Sequence, residues 1–144
     1  MVAWKSNPKI NELQTVLIVS QDAEMVNVWQ ALFEQKNCRV VCETGAGEAL
    51  QTSRLLSPAL IVIDLDLPRN ERITLCRELR STTNGTLLLL APKADEAEIF
   101  EYLHAGVDEF LSTPISPLAL LIKAMAWLVR RDLTIREQPS NLYV

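Results

Sequence analysis

The sequence predicts an α/β fold: a doubly wound, five-stranded parallel sheet in (βα)5 order. Three observations carry this. Apolar runs of strand length alternate with segments of helical periodicity along the chain. The first, third and fourth strand candidates are near-continuous aliphatic runs, as expected of parallel strands covered on both faces. The alternation repeats five times, which makes a sheet with helices on both sides. A length of 144 residues, 49% of them hydrophobic, suits one domain with a sizeable core.

The elements follow in order. Residues before Leu13 are polar around Ser6-Asn7-Pro8-Lys9 and read as a leader, 1–13. Thr15–Val19 is the first strand. A helix follows from Asp22, with Met25, Val28, Trp29 and Leu32 at i, i+3, i+4 and i+7. Cys38–Cys42 is a short strand, followed by a helix through Ala49 and Leu50. Ala59–Ile63 is the third strand, and Leu75, Cys76 and Leu79 mark its helix. Leu87–Leu90 is the fourth strand. Ile99, Phe100 and Leu103 mark a fourth helix ending at Gly106. Asp108–Ser112 is a weaker fifth strand. The last helix starts at Ser116-Pro117, an N-cap followed by proline at the first helical position, and runs to about Arg131.

Composition narrows the function. A net charge of −4 argues against this segment gripping nucleic acid, which needs a basic patch to neutralise phosphates. No run approaches the roughly 18–20 apolar residues that span a bilayer, and Met1-Val2-Ala3-Trp4-Lys5 has no signal-peptide core, so a cytoplasmic protein without membrane contact is expected. Cys38, Cys42 and Cys76 match no metal spacing and read as packing residues, the first two on one strand face. His104 has no partner ligand nearby and reads as a helix-surface residue. Gly45 and Gly47 precede a helix, but no glycine-rich loop follows the first strand, which argues against nucleotide or flavin binding. Trp29 and Trp127 lie at core spacing.

In a doubly wound sheet the functional crevice lies beyond the carboxyl ends of the strands. Ser20-Gln21-Asp22, Asp64, Ala91 and Thr113 stand there. Asp64 ends the run Ile61-Val62-Ile63-Asp64, so its carboxylate is expected at the crevice, exposed rather than buried in the sheet.

Pro58–Pro68, with Asp64 at its centre, resembles the phospho-acceptor segment of response-regulator receivers. So does Leu75-Cys76-Arg77-Glu78-Leu79-Arg80 after it. Ala105-Gly106-Val107-Asp108-Glu109-Phe110-Leu111 is similar to the approach to that family's fifth strand, and Ser112-Thr113-Pro114 to the segment that ends in Lys-Pro. The resemblance covers roughly residues 14–131. It implies a flavodoxin-like sheet of order 2-1-3-4-5, signal transduction rather than enzymatic turnover, and Asp64 as phospho-acceptor. A tail, 132–144, would lead toward a DNA-binding domain outside this chain.

The departures from that pattern define a degenerate pocket. The family carries two acidic residues after strand 1 to hold Mg²⁺; Ser20 and Gln21 stand there, and Asp22 reads as an N-cap. Mg²⁺ asks for octahedral oxygen ligation with one or two carboxylates, so weak or absent binding is expected. The hydroxyl after strand 4 is replaced by Ala91 and the lysine by Thr113. The aromatic switch position is Phe110, and the glycine turn is Glu71-Arg72. Phosphoryl transfer relies on positioning and charge neutralisation, and both supports are lost together.

On the last helix, Leu120, Ala124, Trp127 and Leu128 form one apolar stripe, and Leu118, Ile122, Met125 and Val129 a second on nearly the opposite side. A surface helix normally carries one stripe, so a partner is expected over the second. The region around helix 4, strand 5 and helix 5 resembles winged-helix (OmpR/PhoB-like) regulators, whose receivers dimerise through that face. Atypical receivers of this kind occur among cyanobacterial regulators, those of nutrient stress included. The family's cross-dimer ion pairs fall at Ile99 and Ala119, where no charge exists, and at Glu109 and Lys123, where charges survive. The reading is a receiver acting through phosphorylation-independent contacts, most simply a homodimer, to control transcription. The alternatives are a conventional receiver phosphorylated on Asp64 by a histidine kinase, and a pseudo-receiver that binds a small molecule.

Overall fold

The computed structural model describes residues 13–142, with side-chain surroundings through Asp132. The leader up to residue 12, with Trp4, and the side chains beyond Asp132 lie outside the described residues. Ten elements alternate without exception: β1 Gln14–Ser20, α1 Ala23–Gln35, β2 Cys38–Glu43, α2 Ala46–Leu56, β3 Leu60–Asp64, α3 Arg69–Arg80, β4 Thr86–Ala91, α4 Glu96–His104, β5 Glu109–Ser112 and α5 Pro117–Leu142. All neighbouring strands are parallel, in the order β2-β1-β3-β4-β5.

The aliphatic runs fill the sheet centre because both faces are covered. Val16, Ile18, Leu60, Val62, Leu88 and Leu90 point to α1 and α5, where Trp29, Phe33, Leu120, Ala124 and Leu128 meet them. Leu17, Val19, Ile61, Ile63, Leu87 and Leu89 point to α2, α3 and α4, against Ala49, Leu75, Cys76, Leu79 and Tyr102. The period-2 alternation of a strand thus feeds two cores from one sequence run. Cys38 and Cys42 both face the α1–α5 core, as the four-residue spacing predicts, and Cys76 is fully buried. Burial pushes the Cys76 thiol up to about 12, so it is a packing group rather than a nucleophile.

The caps are as predicted at two helices. Asp22 accepts from the Met25 amide at 3.1 Å, and Ser116 Oγ accepts from the Ala119 amide at 3.0 Å. Three readings need correction. Val28 is 42% exposed; α1 buries Trp29, as expected, and with it Phe33. On α4, Phe100 and Leu103 are exposed and the buried residue is Tyr102, whose ring lies on the sheet side. Finally, α5 does not end near Arg131 but continues past Pro139 to Leu142, and residues 131–138 contain no glycine or proline to stop it earlier. The segment expected as a tail or linker is thus helical over 132–142.

Candidate functional site

The carboxyl ends of β1, β3, β4 and β5 form one rim. Register places Ser20 opposite Asp64 and Ala91 opposite Ser112. The Thr113 amide donates to the Ala91 carbonyl at 2.9 Å, and the Thr113–Pro114 peptide is cis. The strands therefore gather Ser20, Asp64, Ala91 and Thr113 as predicted.

Ser20 is buried, and its hydroxyl donates to Asp64 Oδ2 at 3.0 Å while accepting from the Asp22 amide at 3.1 Å. A neutral donor thus occupies the side of Asp64 where the resemblance places a metal-holding acid. Asp22 is exposed and engaged as the α1 cap, and Gln21 is exposed. Among the described residues no three His, Cys, Asp or Glu side chains converge into a metal-holding cluster. Asp64 Oδ2 accepts from Ser20 and Asp22 Oδ1 caps α1, and positions 20 and 21, where the resemblance expects an acidic pair, hold Ser20 and Gln21. Ala91 is buried, and a methyl group there offers no hydrogen bond.

Asp64 is half-buried, not fully exposed as expected. Burial pushes its carboxyl above the ordinary value; the Ser20 hydrogen bond opposes this and the Asp22 charge adds to it. The acidic neighbour that matters is thus Asp22, across the sheet register, rather than Asp66 or Glu71 beside it in sequence. A raised folded-state value means the ionised form is less favoured in the fold than in the unfolded chain. Asp64 therefore weighs against folding above its folded-state value, and that burden is lifted as pH falls through it. Asp64→Asn is expected to raise the melting temperature at pH 7, with the gain shrinking steadily toward pH 3 as wild-type Asp64 protonates. Paired thermal melts across that range check this; a variant less stable than wild type at pH 7 would contradict it.

The partner-face positions divide. Leu118, Ile122 and Val129 are 58%, 63% and 56% exposed, whereas Met125 packs partly against the α1–α5 core. Ile99 and Ala119 are half-buried. Glu109 and Lys123 pair with each other within the chain at 2.9 Å, and Trp127 Nε1 donates to the same carboxylate at 2.8 Å. Burial would push Glu109 up, but hydrogen bonds from Trp127 and Lys123, with the charges of Lys123 and Arg130, outweigh it and hold the carboxyl below its ordinary value. His104 is exposed, its ring tilted at 35° against that of Phe100, as a surface residue should be.

One polar group was missed. Arg72, at the position of the family's turn glycine, is buried in the first turns of α3, and its Nη1 donates to Tyr102 Oη at 2.9 Å. Tyr102 donates in turn to Glu98, and its ring stacks on Phe110 at 5.7 Å between centroids. The only sequence signal was an arginine where a glycine is usual.

The match to the response regulator receiver domain model covers residues 16–125. The chain is similar to the DNA-binding response regulator MtrA of Mycobacterium tuberculosis, 28% identical over 129 residues, covering 90% of this chain and 55% of that protein. It is also similar to the transcriptional regulatory protein ResD of Bacillus subtilis, 25% identical over 119 residues, covering 83% of this chain and 50% of that protein. The chain thus spans about half the length of the curated relatives it matches. In fold it is similar to a CheY-like response regulator receiver domain protein from Methanospirillum hungatei, with a TM-score of 0.76 and 22% identity over 85% of this chain and 99% of that one. Having the five-stranded 2-1-3-4-5 sheet, with Asp64 at the end of its third strand, the chain belongs to the response regulator receiver domain family.

Proposed function

We propose that this receiver signals without phosphate, as a regulatory interaction domain rather than an enzyme, and that it controls transcription through protein contacts. The observation that carries this reading is the Ser20 hydroxyl donating to Asp64. It supplies a neutral hydrogen bond where phosphoryl transfer to a carboxylate needs a divalent cation to neutralise charge. Ala91 and Thr113 add no hydroxyl–cation pair to report a phosphoryl group. The α4–β5–α5 face is the contact surface, and a second copy of the chain is its occupant. Leu118, Ile122, Met125 and Val129 recur at spacings of four, three and four, the seam of two packed helices, and a two-fold axis pairs such a stripe with itself. DNA would be engaged only through a domain beyond the segment 132–144, a reading supported by the relative MtrA, named as DNA-binding, of which this chain covers 55%.

Acetyl phosphate with Mg²⁺, read by intact-mass spectrometry, tests the central claim. No phosphorylated species should accumulate, and a Mg²⁺ titration followed by tryptophan fluorescence should show no saturation below millimolar concentration. A stable adduct that disappears in Asp64→Asn would instead establish a conventional phosphorylated receiver, with a histidine kinase as its partner.

A further inference from the structure

The shortest helix among the described residues, α4, has nine residues, too few to be stable without tertiary support. It commits only one large side chain fully to the core, Tyr102, while Phe100 and Leu103 remain 61% and 45% exposed. What seats α4 is polar. Arg72 is 8% exposed, and its Nε has no hydrogen-bond partner among the described residues. A guanidinium keeps its charge when buried, so it needs its counter-charge at hand. Glu98 supplies it at 3.8 Å, and the Tyr102 hydroxyl joins the two, accepting from Arg72 and donating to Glu98. At the exposed edge Arg69 Nε donates to Glu101 at 2.8 Å. Both arginines lie in the first turns of α3, shortly after Asp64, and both carboxylates lie on α4. Phe110 stacks on the same Tyr102 ring at an interplanar angle of 15°.

We propose that the Arg72–Tyr102–Glu98 network is a polar clamp that fixes α4 on α3, and with it the Phe110 ring, whatever the state of Asp64. This deepens the reading of a phosphate-independent contact face, on which it rests for its functional meaning. Ala91 supplies no hydroxyl by which a phosphoryl group at Asp64 would draw the ring, so the clamp, with the packing of Tyr102 against the sheet, holds α4 and the Phe110 ring in place. Arg72 and Tyr102 are positioning residues: removing the Tyr102 hydroxyl leaves the buried Arg72 Nη1 without its acceptor, which is costlier than the loss of one hydrogen bond, and removing Arg72 takes away the tie from Tyr102 and Glu98 to α3.

The test is amide hydrogen exchange read by mass spectrometry on the full chain. Tyr102→Phe keeps the ring and its stack on Phe110 and removes only the hydroxyl; Arg72→Met removes the buried charge. In both variants peptides covering α4 should exchange roughly tenfold faster or more, while β3 and β4 peptides keep wild-type protection. Asp64→Asn should leave α4 protection unchanged. Unaltered α4 exchange in Tyr102→Phe would overturn the clamp, as would loss of protection spread evenly over the sheet, or loosening of α4 by Asp64→Asn. Sedimentation of the same samples separates the two readings. A loosened α4 with an unchanged oligomeric state leaves the clamp standing and removes the α4 face from the contact.

Discussion

Ile122→Glu is expected to turn a concentration-dependent dimer into a folded monomer. Ile122 is 63% exposed in the single chain, between Leu118 at 58% and Val129 at 56% on the outer side of α5. Fully burying one such side chain contributes about 1.5–3 kcal/mol. Glutamate forfeits that and adds an unpaired carboxylate to an apolar seam, so the dissociation constant should rise roughly a hundredfold or more. Position 122 faces solvent within the chain, so circular dichroism should hardly change, and the melting temperature should fall only by the concentration-dependent share that the dimer contributes. The charges nearby sharpen the test. The resemblance places Glu109 and Lys123 in a cross-dimer pair, but here they close on each other, with Trp127 on the same carboxylate. Exposed pairs of this kind contribute about 0–1 kcal/mol and weaken with salt. An apolar seam is not screened in this way, so the dimer should survive a rise from 0.1 M to about 0.5 M salt, which cuts the Debye length from about 10 Å to about 4 Å. Sedimentation at several concentrations gives both results. A wild-type chain that stays monomeric at high concentration, or a dimer dissolved by salt, would sink the proposal.

The sheet was legible because each strand reports its surroundings directly. Leu87–Leu90 is apolar on every residue because a parallel central strand has two buried faces. The helices were legible as helices but less so as faces. On α4, hydrophobicity alone selects Phe100 and Leu103, yet the sheet takes Tyr102, whose hydroxyl is satisfied by Glu98 one turn earlier and by Arg72 from α3, outside the local pattern. On α1, Phe33 sits one turn beyond Trp29 and was passed over for Val28. The far end of α5 was misread because a run of charged residues looks the same in a solvated helix and in an irregular tail.

The site divides along the same line. Its members could be listed from the sequence, since strand ends converge in any doubly wound sheet. Their interactions could not. That Ser20 reaches Asp64 depends on β1–β3 register, 44 residues apart, and that Asp22 is the acid nearest in effect depends on the same pairing. Arg72 had no partner within four residues to advertise its burial; its partners lie on α4.

A single change, glycine to alanine, is expected to act with opposite sign at two positions. Gly85 precedes β4, where the chain passes against the start of β3. A methyl group there would lie 2.2 Å from the Pro58 carbonyl oxygen and 2.6 Å from that of Ala59. Both obstacles are backbone, and both oxygens are in use: Thr83 Oγ1 donates to Pro58 at 2.6 Å, and the Thr86 amide to Ala59 at 2.9 Å. Gly85 itself donates to Thr83 Oγ1 at 3.0 Å and accepts from Arg80 Nη2 at 2.5 Å, so it cannot withdraw without breaking those bonds. The β3–β4 pairing must open at this end, and the loss should reach the upper part of the roughly 1–3 kcal/mol that overpacking costs. For a chain of this size about 3 kcal/mol lowers the melting temperature by roughly 6–12 °C. Gly47, by contrast, lies inside α2 with nothing within 4 Å of an added methyl group. Alanine there restricts the unfolded chain and favours helix, a gain of about 0.4–1 kcal/mol. Thermal melts of the two variants beside wild type decide the matter: Gly85→Ala should melt well below it and Gly47→Ala slightly above. Equal shifts in one direction would mean that the close approach of Gly85 to β3 is not a feature of the folded chain.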